Sequence, residues 1–157
     1  MNSRKISLIL HNVRSVHNVG SIFRTADAAG VQKIFLTGYT PAPVNRFGGE
    51  VSAFTKTSLG AEKAVSWEGR NDPKGVIQHL KKEGVKIVAL EQHPEALDYR
   101  TAKLSSPVAL CVGNEVRGLS SQFLSLADEI IEIPMKGEKE SLNVSVATGI
   151  ALFSLSG

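Results

Sequence analysis

The stretch "PVALCVG" (107–113) has no charged side chain and no alternation of apolar with polar residues. A strand with one face in water alternates, whereas a strand covered on both faces reads as a continuous apolar run. "KIVALEQ" (86–92) has nearly the same character. Two such strands imply a parallel sheet between layers of helices, because parallel neighbours need a long crossover, usually a helix.

Working outward, "ISLILH" (6–11), "VQKIFLTG" (31–38), "AVSWE" (64–68) and "EIIEIPM" (129–135) read as further strands, the last stopped at Pro134. Helical patterns separate them. Val19, Ile22, Phe23, Ala26 and Ala29 recur at helical spacing, with Asn18 placed to cap the helix and Gly30 to stop it. "PKGVIQHLKKEG" (73–84) opens on proline and closes on glycine, "LSSQFLSLA" (119–127) is helical, and a short helix is expected around Ser58–Ala64. "YTPAPVNRFGGEVSAFTKTS" (39–58) reads as a loop long enough to be functional or disordered. With no repeat and no linker, residues 1–157 read as one α/β domain with a mostly parallel sheet flanked by helices.

A chain of 157 residues with 42% apolar content can build one real core. Cys111 is the only cysteine, which excludes an internal disulfide and a multi-cysteine metal cluster. His11, His17, His79 and His93 show no ligand spacing, so no metal is expected. The early apolar run from Ile6 to Leu10 is too short for a signal core or a membrane span, so the reading is soluble and cytoplasmic. A net charge of +3 is compatible with nucleic acid without singling it out.

Parallel sheets carry their sites at the carboxyl ends of the strands, which directs attention to the loops after Leu90, Gly113 and Met135. In "VGNEVRGLS" (112–120), Gly113 and Gly118 have the separation of a P-loop, but Leu119-Ser120 stand where Lys and Ser/Thr are required. The missing lysine argues against a nucleoside triphosphatase, and the missing G-x-G-x-x-G turn removes the mark of a dinucleotide enzyme. What remains is a tight turn from which Glu115 projects. In "IPMKGEKESLNVS" (133–145), Ser141 or Asn143 can cap the last helix. That helix has one stripe of Val144, Ala147, Ala151 and Leu155 and a second of Val146, Ile150 and Phe153, with no charge anywhere. A helix apolar all round is buried all round, so a second subunit is the expected cover for the outer stripe. In "NVRSVHNVGSIFRTADAAG" (12–30), Arg24 points away from the apolar stripe, either solvated or paired with Asp27.

Together these three stretches resemble the SpoU (TrmH-like) branch of the SPOUT RNA methyltransferases. "NVGSIFRTADAAG" looks like the family's first motif, "GNEVRGLS" like its second, and "IPMKGEKESLNVSVATGIA" like its third, in the family's order and over nearly the whole chain from Ile6 to Phe153. Ser21 and Ala29 depart from the residues more common there. The resemblance implies an α/β sheet whose C-terminal part is threaded as a deep trefoil knot, a rare exception to the usual connection rules. It also implies a homodimer packed through the last helix. The expectation is a minimal catalytic unit without an added N-terminal RNA-binding domain.

The implied reaction is methyl transfer from S-adenosylmethionine to a ribose 2′-hydroxyl of RNA, with transfer RNA favoured over ribosomal RNA. A non-catalytic RNA-binding relative is the alternative. By position, Leu90, Gly113, Ile133, Ser141 and Leu142 look like the cofactor contacts, and Arg24, Asn18 and Asn143 like the catalytic set. A free guanidinium, with a pKa above about 12, is a poor base. Arg24 is better suited to grip an RNA phosphate and the developing alkoxide, with Asn18 and Asn143 orienting it or the ribose. Glu115 is expected to brace the loop or the RNA end of the site. Arg14, Arg46, Lys56, Arg117, Lys136 and Lys139 would supply the RNA surface.

Overall fold

In the computed structural model the apolar run 108–112 is the centre of the sheet and is buried along its whole length. The structure describes residues 4–102, 104 and 107–156; Gly157, the end of the expected last helix, lies outside them. Within these residues the strands are β1 (Ile6–His11), β2 (Lys33–Thr37), β3 (Ser66–Arg70), β4 (Lys86–Leu90), β5 (Leu97–Asp98), β6 (Val108–Val112) and β7 (Glu129–Glu132). They form one sheet in the order β3-β2-β1-β6-β4-β7-β5, with every pairing parallel.

The strand side chains divide between two cores, which is why these strands read as unbroken apolar runs. Leu8 and Leu10 of β1, and Val108, Leu110 and Val112 of β6, face one core. Ile9, Ala109 and Cys111 face the other. Helices α1 (Val16–Ala29), α2 (Ser52–Ser58) and α6 (Val144–Ser156) cover the first face, and α4 (Pro73–Lys82) and α5 (Ser121–Leu124) the second. The short α3 (Ala61–Ala64) leads into β3. Burial pushes the Cys111 thiol well up, so it behaves as an inert core residue. None of these helices is long and apolar enough to cross a membrane.

Two sequence expectations need correction. The cap of α1 is Ser15, whose side chain accepts from the Asn18 N–H, and Asn18 itself lies in the first turn with its amide free for other work. The second half of the expected 39–58 loop is α2, docked on α1 by Phe54, which meets Phe23 edge-on at 5.0 Å. The close approach depends on Gly20, where a Cβ would stand 2.7 Å from the Phe54 carbonyl. The domain covers one side of α6: Ala151, Leu152 and Leu155 are in the core, while Val146 and Phe153 are 51% and 55% exposed. Gly30, with φ of 76°, stops α1 as expected.

Candidate functional site

Because β6, β4 and β7 are neighbours in the sheet, the loops leaving their carboxyl ends meet. They form a cleft with a cavity volume of about 160 Å³, partly open to solvent. Leu90, Gly113, Ile133, Ser141 and Leu142, the five expected cofactor contacts, all line it. Val144 and Ala147, from the first of the two α6 stripes, line it as well.

The loops are held to one another through carboxylates and amides. The Glu91 carboxylate accepts the Leu119 N–H at 2.7 Å, and the Gln92 side-chain amide donates to the Ile133 carbonyl at 2.9 Å. Gly113 is required by close approach: a Cβ there would stand 2.7 Å from the Gly118 carbonyl group. Glu115 accepts the Arg14 and Ser15 N–H groups at 2.8 and 2.7 Å and the Asn18 amide at 3.1 Å. The Asn143 amide in turn donates to Asn18 Oδ1 at 3.2 Å, while Asn143 Oδ1 accepts the Ser145 N–H and caps α6. One chain of hydrogen bonds, Asn143–Asn18–Glu115, thus joins the three motif-bearing stretches at the edge of the cleft.

Partial burial of Glu115 favours its protonated form, but the Arg14 and Ser15 N–H groups and the Asn18 amide outweigh it and hold the carboxyl below its ordinary value of 4.5. A depressed carboxyl contributes stability above its unfolded value and loses it as pH falls through the folded value. Glu115→Gln is therefore expected to cost about 1 kcal/mol at neutral pH, the scale of a charged hydrogen bond discounted for solvent screening. The difference from wild type should shrink as the pH drops below 4.5. Thermal unfolding of both proteins from pH 7 to 3 checks this, and a gap that stays constant would contradict it.

Residues 5–153 match the sequence profile of the SpoU rRNA Methylase family. The chain belongs to the SpoU methylase family. It is 37% identical over 148 residues to a tRNA (guanosine(18)-2′-O)-methyltransferase of Thermus thermophilus, covering 94% of this chain and 72% of that one. It is 37% identical over 146 residues to the 23S rRNA (guanosine-2′-O-)-methyltransferase RlmB of Shewanella oneidensis, covering 93% of this chain but only 56% of the relative. Among solved structures, the TrmH/SpoU tRNA modifying enzyme of Aquifex aeolicus superposes with a TM-score of 0.83 at 33% identity, over 98% of this chain and 74% of that one. An AdoMet-bound rRNA methyltransferase of Sinorhizobium meliloti gives 0.85 at 32% identity, over 98% and 56%.

In this SpoU chain the expected catalytic set is divided. Asn18 and Asn143 are together, but Arg24 lies six residues further along α1, about 9 Å along its axis. Arg24 lines a different depression, with Lys56 of α2 and the exposed Phe153 of α6. It is exposed, and among the described residues its guanidinium makes no ion pair, with Asp27 or any other carboxylate. Arg14, Arg46, Lys56 and Arg117 are all exposed. Arg14 and Arg117 flank a second cleft that shares Asn114, Glu115 and Val116 with the first, whereas Arg46 stacks on Phe47 in the 39–51 loop. Sequence reasoning missed Glu91, Gln92 and Asn114, lone polar residues on loops whose hydrogen-bond partners are remote in sequence.

Proposed function

We propose that this protein transfers a methyl group from S-adenosylmethionine to a ribose 2′-hydroxyl of RNA, with transfer RNA as the favoured acceptor. The observation that carries the reading is the charge of the central cleft. Glu91, Glu115 and Glu132 line it together with apolar Leu90, Ile133 and Leu142, and among the described residues no lysine or arginine does. Such a wall repels phosphates and suits a ligand with net positive charge, as a sulfonium donor has. The cations stand outside, at Arg14 and Arg117, where an RNA backbone would approach. The relatives named for transfer RNA and ribosomal RNA methylation support the substrate class. The larger share of the transfer RNA enzyme that this chain spans favours transfer RNA. The proposal includes the cytoplasm as its place of action and the threaded C-terminal segment that the family resemblance implies.

The bound donor supplies a methyl group already activated by the positive sulfur. The protein's task is to align the acceptor and to stabilise the oxygen as its proton passes to a water or an RNA phosphate. Leu90, Gly113, Ile133, Ser141 and Leu142 would hold the donor. Each asparagine amide nitrogen has two hydrogens. Asn18 spends one on Glu115 and Asn143 spends one on Asn18, which leaves each a hydrogen for a ribose oxygen. Glu115 keeps the pair oriented, and the three N–H groups it accepts favour its ionised form and make it a weak base.

A homodimer completes the reading. Val146 and Phe153 present apolar surface on α6, and a second copy seated there would enclose Arg24 and Lys56 in the shared depression.

The test is calorimetry with S-adenosylmethionine and its demethylated product, followed by mapping of 2′-O-methylation on transfer and ribosomal RNA. Binding of both without added metal, and methylation of a transfer RNA ribose, are expected. No heat from either at millimolar concentration would overturn the assignment.

A further inference from the structure

We propose that the cleft between Tyr39, Arg14 and Arg117 seats an RNA base, stacked on the Tyr39 ring, beside the ribose that is methylated. The inference rests on the methyl-transfer reading and names how its acceptor is held. Three observations carry it. First, the Tyr39 ring is fixed yet uncovered. Its N–H donates to Asn12 Oδ1 at 3.1 Å and its hydroxyl accepts from Asn114 Nδ2 at 3.0 Å, while the residue remains 59% exposed. Asn12 takes up a left-handed backbone (φ 57°) at this corner, where its own carbonyl also accepts from Asn114 Nδ2.

Second, the same Asn114 organises the opposite wall. Its Oδ1 accepts the Val116 and Arg117 N–H groups, both at 2.9 Å. One amide therefore sets the spacing between the aromatic ring and the loop that carries Arg117. The Arg14 backbone is pinned separately by Glu115. Neither guanidinium, of Arg14 or of Arg117, has an ion-pair or hydrogen-bond partner among the described residues, and both are free for phosphate. Third, the cleft shares Asn114, Glu115 and Val116 with the donor cleft, so its occupant would lie next to the site of methyl transfer.

An aromatic ring anchored through its hydroxyl, in a cleft that two free guanidiniums also line, matches a nucleotide better than a protein segment: the ring takes the base and the guanidiniums take the flanking phosphates. Because every base has a π-face, this contact supplies affinity and register more than sequence choice.

The experiment compares Tyr39→Ala and Tyr39→Phe with wild type. The readouts are affinity for a mixed transfer RNA pool, single-turnover methylation, donor affinity by calorimetry, and thermal unfolding as a check of fold. Tyr39→Ala is expected to weaken RNA affinity roughly tenfold or more, the scale of one lost base–aromatic stack. Donor affinity should stay unchanged, and Tyr39→Phe, which keeps the ring, should stay near wild type. Unchanged RNA affinity of a folded Tyr39→Ala protein would overturn the inference, as would a change of oligomeric state in its place. Wild type that binds RNA but methylates none would instead defeat the methyl-transfer reading, and the affinity comparison would still decide the stack.

Discussion

Replacing Arg24 by alanine is expected to lower single-turnover methylation by roughly two orders of magnitude or more, the scale of losing one preorganised donor to a developing oxyanion. Donor affinity should stay within a few fold, because Arg24 is outside the donor cleft. The exposed guanidinium has no ion-pair partner among the described residues, so its removal breaks no internal bond and the fold should be unaffected. Lys56 lines the same depression and concentrates positive charge where a phosphate would lie. Arg24→Lys should recover little, since a point charge does not reproduce a planar fork that binds two oxygens at once. Single-turnover methylation beside calorimetry, on both variants, checks the claim. A near-normal rate for Arg24→Ala would reduce this residue to a solvated surface arginine.

The parts of this molecule legible in its sequence were those written by continuous burial. β6, β4 and β1 announced themselves because both their faces are covered, and the meeting of their loops follows from the parallel arrangement. α2 was hidden because "SAFTKTS" has a single fully buried apolar residue, Phe54, and is stabilised by docking on α1 at Gly20 more than by its own pattern. β5 is two residues held only by pairing with β7, too short for any periodicity. The start of α1 was misplaced because Ser15 and Asn18 are both capping residue types. What separates them is tertiary: Asn18 is drawn to Glu115 and Asn143, 97 and 125 residues away. The donor cleft was readable from loop position and motif resemblance. The Tyr39–Asn114 pairing was not, because hydrogen bonds between loops leave no local signature.

Phe153→Lys is expected to convert a dimer into a monomer while leaving the protomer folded. The pattern of α6 alone leaves open which of its two stripes faces outward. The structure separates them, because Ala151 is fully buried and Ile150 half-buried, while Phe153 and Val146 present their side chains to the surface. A lysine at Phe153 would be solvated in an isolated chain and cost the fold little. Under a second copy the same charge would be buried without a partner and beside Arg24 and Lys56, a penalty of several kcal/mol and enough to dissociate a micromolar dimer. Ala151→Lys forces the charge into the core of α1 and α6 and should unfold the protomer itself. Light scattering is expected to give twice the 16.8 kDa of the chain for wild type and the single mass for Phe153→Lys, with similar thermal unfolding of the monomer. Wild type at the single mass across micromolar concentrations would leave the apolar face of α6 without a second copy to cover it.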